Sequence, residues 1–465
     1  MSFINTKLKD FEENLKNKKI AIIGLGVSNI PLIDYLHDFQ AKITVFDKRN
    51  EEKIDKGVLE KIENYKISKN FGENYLSNLK DFDIIFKSPS CRPDLPEIEA
   101  EVKRGAILTS EIEKVLELAP CKIIAVTGSD GKTTTTSLIY EIVKQKYKAY
   151  LGGNIGIPLF TKIKEIQPEN VVVLELSSFQ LMTMKKSPDI AVVTNVTPNH
   201  LDIHKSYEEY IEAKKNIFLN QNEDNTLVLN YDNEITKNFA KTAKSKVIFF
   251  SSKEKIENGV IYDDGIIKIS EDGLRRHLLK LKDTHLRGTH NAENICAAVA
   301  ATKGLVQIED QINAIKGFEG VPHRIEFVRE INGSKWYNDS IASSPTRTIA
   351  GLNSFDEEIV LIAGGYDKHL DYEPIAKPIL DKVKTLILLG QTSGKILNAV
   401  KEKQGELGIK IDIFKVDTLE EAVEKAKMEA KPNQVVLFSP ASASFDMFKN
   451  FEERGNKFKE LVKNL

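Results

Sequence analysis

Residues 127–134 read Thr-Gly-Ser-Asp-Gly-Lys-Thr-Thr, between the apolar run Lys122–Val126 and a segment of helical character from Thr134 to Val143. In a strand–loop–helix setting the loop amides and the helix N-terminus converge on one point, where phosphate oxygens are stabilised. Lys132 is placed to reach the terminal phosphates of a nucleoside triphosphate, and the Thr133 hydroxyl to meet Mg²⁺. The general phosphate-loop pattern wants glycine five residues before Gly131, and Val126 stands there, so the loop is a variant of that pattern. The plainer alternative is a strand–helix turn with an exposed lysine.

Such a loop needs a carboxylate nearby, because Mg²⁺ binds through one or two carboxylates, phosphates and water. Glu175 ends the apolar run Val171–Leu174 and leads into Leu176-Ser-Ser-Phe-Gln180, which meets that need. The run Ile190–Val196 delivers a loop carrying His200 and His204. Their spacing suits zinc on a helix, but Pro198 and the absence of a nearby cysteine favour a loop, in which His200 is either solvated or a ligand to metal or phosphate. Ser206-Tyr-Glu-Glu209 is a capping-box pattern that starts the next helix. Its apolar positions Tyr207, Tyr210, Ile211, Ile217 and Phe218 put Lys214 near the middle of the stripe and turn Lys215 away. A lysine so placed snorkels, pairs or loses its charge. A neutral amine can capture CO₂ as a carbamate, an anionic oxygen ligand for Mg²⁺.

The elements around these residues alternate between strand and helix. Lys19–Gly26 is a strand entering a glycine turn, followed by a helical stretch and a second strand, Lys42–Asp47. This opens a nucleotide-binding βαβ unit, although Asn29 replaces the third glycine of the dinucleotide fingerprint and weakens a reading as an NAD oxidoreductase. Asp47 is placed to accept a hydrogen bond from a ribose or a base. A further strand, Asp83–Lys87, ends at Ser88-Pro-Ser90, and an amphipathic helix around Leu108–Glu111 leads to the phosphate loop. Short β-like runs with turn signals fill 245–285, and Asn291–Leu305 reads as helix. Beyond Val321, strands at Ile359–Ala363, Thr385–Leu389, Ile411–Lys415 and Gln434–Phe438 alternate with helices, which implies a mainly parallel sheet. Near its start, Arg324 suits a phosphate and Asp339 a ribose, or the two form an ion pair. Gly364–Lys368 and Ser439–Ser444 both follow strands and offer small residues, backbone donors and a cation to a carboxylate-bearing ligand.

Length and composition narrow the classes. A chain of 465 residues suits about three domains of ~150 residues. Sixty-six basic against 68 acidic side chains leave a net charge of −2, with no global field for nucleic acid or an anionic membrane surface. Cys91, Cys121 and Cys296 are widely spaced, which argues against a disulfide framework or zinc module. The polar N-terminus and the lack of a spanning apolar run give the expectation of a cytoplasmic protein with no membrane insertion.

In order along the chain, TGSDGKTT (127–134), GGNIG (152–156), ELSSFQL (175–181), NVTPNHLD (195–202), YIEAKKNIF (210–218), HNAEN (290–294), PHRIE (322–326) and NDS (338–340) resemble the Mur ligases, ATP-dependent amide-forming enzymes of peptidoglycan precursor synthesis. The stretch 439–455 resembles the member of that family that adds D-glutamate. The resemblance implies an α/β protein of three domains: 1–110, Rossmann-like and binding UDP; 111–320, a central P-loop ATPase; and 321–465, Rossmann-like and binding the amino acid. It implies ATP-driven joining of D-glutamate to UDP-N-acetylmuramoyl-L-alanine through an acyl phosphate, by a monomer using two Mg²⁺ ions.

Residue by residue, the resemblance assigns ATP to Gly128, Ser129, Asp130, Gly131, Lys132, Thr133 and Thr134, with Asn291, Asn294, Arg324 and Asp339. It assigns the first Mg²⁺ to Thr133 and Glu175, and the second to His200 and carbamylated Lys214. Asp47, Arg49 and Ser88 fall at UDP positions, Asn154 and Ser177 near the muramoyl-alanine end, and Lys368, Ser444 and Phe451 at D-glutamate positions. Two departures stand out: Ile341 follows Ser340 where many members carry lysine, and Ser90 replaces the glycine of Ser-Pro-Gly. Other readings are a sibling Mur-type ligase, a folylpolyglutamate synthase, or a nucleotide switch without catalysis.

Overall fold

The structure, a computed structural model, describes residues 3–198 and 204–465. Strands β1 (Lys19–Ile23), β2 (Lys42–Asp47), β3 (Ser68–Phe71), β4 (Ile84–Lys87) and β5 (Ile107–Thr109) form a first sheet in the order β3-β2-β1-β4-β5. All its pairings are parallel. Consecutive apolar residues are what such strands need, because helices cover both faces. Accordingly Ile84 and Phe86 pack into one core while Ile85, between them, packs into another. The order reverses between β1 and β4, and the C-terminal ends of strands at such a switch point form the ligand crevice of an open α/β sheet.

The second sheet contains β6 (Lys122–Thr127), β7 (Ala149–Gly153), β8 (Val171–Glu175), β9 (Ile190–Val193), β10 (Thr226–Asn230), β11 (Lys246–Ser251), β12 (Gly259–Asp263), β13 (Ile266–Glu271) and β14 (Leu274–Lys280). Its order is β14-β13-β12-β11-β10-β9-β6-β8-β7. β6 therefore lies between β8 and β9, parallel to both, with Val126 opposite Glu175 and Thr127 opposite Val193. The irregular stretch expected over 245–285 is four strands, the last three joined antiparallel at the sheet's edge.

The third sheet contains β15 (Glu326–Ile331), β16 (Ser334–Asn338), β17 (Ile359–Ala363), β18 (Val383–Leu388), β19 (Asp412–Lys415) and β20 (Val435–Phe438), in the order β15-β16-β20-β17-β18-β19. It is parallel except for the β15–β16 hairpin. The expected three α/β domains are represented by the three sheets. The chain forms two compact units, Met1–Lys280 with Ala292–Ile315, and Leu281–Asn291 with Lys316–Leu465, so the first two sheets share one unit.

Three local expectations need correction. Leu108 and Thr109 belong to β5, and the helix begins only at Glu111, where the Ser110 side chain accepts from Glu113 N. The helix expected from Asn291 runs Thr289–Thr302. At Ser206 only half of the capping box forms: the hydroxyl accepts from Glu209 N, while the Glu209 carboxylate takes Lys205 N and the Arg92 guanidinium at 2.7 Å each. The carboxylate is held by Lys205 N and by a charge-assisted bond from Arg92 instead of by the Ser206 amide.

Candidate functional site

Gly128 and Gly131 shape the phosphate loop. Gly131 caps the helix Lys132–Val143 in the left-handed region at φ 78°, and a Cβ there would lie 2.3 Å from Asn294 Oδ1. A Cβ on Gly128 would lie 1.9 Å from Thr194 Oγ1. The loop is tied down from β9: Thr194 Oγ1 donates to Asp130 O at 2.6 Å, and Asp130 N donates to Asn195 Oδ1 at 2.9 Å. Lys132 Nζ folds over the loop, donating to Gly128 O at 3.0 Å and Ser129 O at 2.9 Å. Asn294 reaches the same loop, its Oδ1 accepting from Thr135 Oγ1 at 3.2 Å. Thr133 sits in the first helical turn and is half-buried, whereas Thr134 is buried.

The strand neighbours of β6 supply the remaining groups. Glu175 is 1 % exposed at the end of β8. Its Oε1 accepts from Asn154 Nδ2 at 2.8 Å, and its Oε2, also buried, has no hydrogen-bond partner among the described residues. A buried carboxylate oxygen left without a donor loses its hydration uncompensated, a cost that a bound cation removes.

Lys214 is likewise 1 % exposed. Its Nζ donates to Gly128 O at 2.7 Å and lies 4.5 Å from the Tyr210 ring centroid, while the Tyr210 hydroxyl meets Ser129 Oγ at 2.9 Å. Burial first, and the neighbouring Lys132 second, push its ammonium well below the ordinary lysine value, with Asp130 opposing. Lys215 turns outward to Glu212. The amphipathic stripe thus delivers one lysine of the pair into the loop.

His204 is buried and bonded to Ser178 Oγ at 2.9 Å, stacked on Phe179. Burial, the largest influence, lowers its pKa, so the neutral ring is favoured. His200 lies outside the described residues. Among the described residues no group of three or more His, Cys, Asp and Glu side chains is arranged to hold a metal. The Thr133 hydroxyl and the Glu175 carboxylate, with its donorless Oε2, are hard oxygen donors of the kind Mg²⁺ takes alongside phosphates and water.

In the first sheet, Asp47 ends β2 beside the switch point. Its carboxylate accepts from Leu25 N at 2.8 Å and Arg49 N at 2.9 Å, and forms a 2.7 Å ion pair with Arg49. Burial raises its pKa, but the guanidinium and the two amides outweigh burial and hold the carboxyl below its ordinary value. Asp47 and Arg49 therefore form one preset unit at the crevice. Ser88 follows β4, and its hydroxyl lies 3.2 Å from that of Ser90. Asn154 is exposed, and Ser177 caps a short helix through a capping box with Gln180.

In the second unit, Asp339 follows β16 and is 4 % exposed. Ser439 Oγ donates to its Oδ2 at 2.7 Å. Burial raises its carboxyl to about 7, with Ser439 and the Arg324 charge opposing. Asn291 donates to Arg287 O at 2.7 Å. Lys368 is exposed after β17, its ammonium 5.5 Å from the Phe445 ring. Ser444 is buried after β20, and Phe451 opens the helix Phe451–Lys463. The ends of β16, β17 and β20, adjacent in the sheet, thus bring these segments together at the switch between β17 and β20.

Thr194, Tyr210 and Arg454 were not among the expected residues. Thr194 is a polar residue closing an apolar strand, a signal that acquires meaning only once β9 is known to flank β6.

Comparisons with known proteins cover nearly the whole chain. Three family models match: Mur ligase MurD-like, N-terminal domain, over residues 18–110; Mur ligase middle domain, over 126–302; and Mur ligase, glutamate ligase domain, over 323–442. The curated UDP-N-acetylmuramoylalanine--D-glutamate ligase of Acetivibrio thermocellus is 53% identical over 466 residues, covering 99% of this chain and 100% of that protein. Its counterpart in Ruminiclostridium cellulolyticum is 50% identical over 465 residues, with 99% and 100% coverage. Among solved structures, UDP-N-acetylmuramate-alanine ligase from Thermotoga maritima superposes with a TM-score of 0.57 at 20% identity, covering 96% of this chain and 100% of that one. The MurF ligase of Thermotoga maritima in complex with ADP gives 0.56 at 19% identity, covering 98% and 97%. These structural likenesses establish the fold.

Proposed function

The chain belongs to the Mur ligase family, and from that premise we propose that it is an ATP-dependent ligase that joins D-glutamate to UDP-N-acetylmuramoyl-L-alanine in peptidoglycan precursor synthesis. The observation that carries the chemistry is the convergence of Lys132 and Lys214 on the loop at the end of β6, with Glu175 opposite Val126 in the neighbouring strand and one of its buried oxygens left without a donor.

ATP transfers its terminal phosphoryl group to the alanyl carboxylate of the UDP substrate, giving an acyl phosphate and ADP. The D-glutamate amine then attacks the acyl carbon, loses a proton and expels phosphate. In the first step the loop amides and Lys132 hold and neutralise the phosphates, work done by positioning and electrostatics. Thr133 with Glu175, and His200 with carbamylated Lys214, would hold Mg²⁺, which would supply further neutralisation of phosphate charge. The carbamate proposal is supported by a buried amine whose neutral form is favoured, held beside the loop. Asn291, Asn294, Arg324 and Asp339 bind the nucleotide, Asp47, Arg49 and Ser88 the UDP, Asn154 and Ser177 the muramoyl-alanine, and Lys368, Ser444 and Phe451 the D-glutamate. We place the domain boundaries near residues 110 and 320 and assign a cytoplasmic monomer. Among the described residues no helix is long and apolar enough to cross a membrane.

The test is ADP release by the purified protein with UDP-N-acetylmuramoyl-L-alanine across a panel of amino acids. D-glutamate is expected to support turnover at least ~100-fold faster than L-glutamate, L-lysine or meso-diaminopimelate, within the ~10⁴–10⁵-fold discrimination reached when a wrong substrate leaves buried polar groups unpaired. Turnover with L-glutamate and a folate, and none with D-glutamate, would overturn the reading.

A further inference from the structure

Arg454 lies in the second turn of the helix Phe451–Lys463 and is 3 % exposed. Its guanidinium fans out to three backbone carbonyls and one hydroxyl. Nη1 donates to Ala443 O at 2.8 Å, Nη2 to Ser340 O at 2.8 Å and Ser442 O at 3.1 Å, and Nε to Ser340 Oγ at 3.0 Å. Ser340 Oγ in turn donates to Phe451 O at 2.9 Å. One side chain therefore ties together the turn after β16, the loop after β20 and the start of the last helix.

The charge balance is unusual. Among the described residues no carboxylate lies within ion-pairing distance of Arg454, and Asp446, the acid that supports its charge, forms no ion pair with it. Burial pulls the guanidinium down to about 10, which leaves it cationic at neutral pH. A buried cation satisfied only by neutral acceptors is expensive to desolvate. The fan uses four N–H donors, which only a guanidinium supplies, and its positive charge comes with it. That charge sets up a field at the end of β20, beside Ser444 and Phe451, and such a field favours an anion.

We propose that Arg454 is a positioning and specificity-determining residue for the incoming amino acid: it sets the backbone that carries Ser444 and Phe451, and its unpaired charge favours an acceptor with an anionic side chain. The proposal rests on the assignment of Ser444 and Phe451 to the amino-acid site. Arg454 does not touch the acceptor, because its guanidinium is taken up by the four protein contacts. It acts through the loop it holds and through its field.

The test uses the full-length protein and steady-state kinetics with ATP, UDP-N-acetylmuramoyl-L-alanine and either D-glutamate or its neutral isostere D-glutamine. R454K keeps the charge but cannot make the fan, and R454M removes both. For both variants the KM for D-glutamate is expected to rise about 10-fold or more, with the KM values for ATP and the UDP substrate within about twofold, since misplacing a binding group by an ångström suffices for such losses. R454M is further expected to lose most of the preference for D-glutamate over D-glutamine, whereas R454K retains it. A purely structural role would not separate these two variants in that ratio. Equal changes in all three KM values, or an unchanged preference in R454M, would overturn the proposal.

Should the Arg454 variants fail to fold, Ser340→Ala decides the positioning claim. It removes the hydroxyl that accepts from Arg454 Nε and donates to Phe451 O, leaving the Nη2 bond to Ser340 O; a rise confined to the D-glutamate KM supports that claim, while a uniform effect contradicts it. The wild type controls for the functional reading: if it uses a different acidic amino acid, the D-glutamate assignment falls and the variants are read on that substrate. If it prefers a neutral one, the charge argument falls with the assignment.

Discussion

At the scale of single residues, the site is defined by which polar groups the fold buries without neutralising them. Lys214 and Glu175 are each 1 % exposed, on elements that meet at one loop. Lys214→Ala is therefore expected to lower turnover by at least ~100-fold, the scale of removing one group that stabilises transition-state charge, and a short carboxylate such as formate is expected to restore part of it. Near-normal activity of the alanine variant would remove the carbamate from the account.

Asp339 makes a different prediction. Its carboxyl sits at about 7 in the folded protein against an ordinary 3.8, because it is buried. Between those values the folded state holds a proton that the unfolded state has released, so stability falls as pH rises through this window and levels off above it. Asp339→Asn removes that titration. Its stability relative to wild type is expected to improve steadily from pH 5 to pH 7 in urea melts, and parallel curves for the two proteins would contradict the assignment. Lys214 and Glu175 were legible in the sequence, one from helical periodicity and the other from its place after an apolar run. Arg454 was not, because Ser340 is 114 residues away and three of its four acceptors are backbone oxygens, which carry no residue signature.

At the scale of elements, the phosphate loop depends on two glycines and on the flanking strands. A side chain on Gly131 would meet both a left-handed backbone and Asn294 Oδ1 at 2.3 Å. Gly131→Ala is expected to cost about 1–3 kcal/mol of stability and to weaken ATP binding, measured by urea unfolding and nucleotide titration. A variant that binds ATP normally would show that the loop tolerates another shape. The apolar strands β1, β4, β6, β8, β17 and β20 were visible in the sequence, since strands covered on both faces are apolar throughout. The hairpin β15–β16 and strand β7 were not. β15 alternates half-buried and exposed residues at a sheet edge, and β7 is half-buried along most of its length, so neither carries a continuous apolar run. Glu209 shows the limit of local motifs: the capping-box spacing is present, but Arg92, 117 residues away, takes the carboxylate.

At the scale of the whole molecule, three sheets each present a switch point or a strand junction where the resemblance assigns a ligand: UDP at the first, ATP at the second and the amino acid at the third. The strand orders could not be read from the sequence, because they are set by crossover connections rather than by any residue pattern, yet they decide which loops become neighbours. A ligase of this design must pass the alanyl carboxylate through an acyl phosphate, and that step leaves an isotopic trace. With UDP-N-acetylmuramoyl-L-alanine labelled with ¹⁸O in its free carboxylate, turnover with ATP and D-glutamate is predicted to place one labelled oxygen in each molecule of inorganic phosphate released, read by mass spectrometry. Amide formation with unlabelled phosphate would contradict the account.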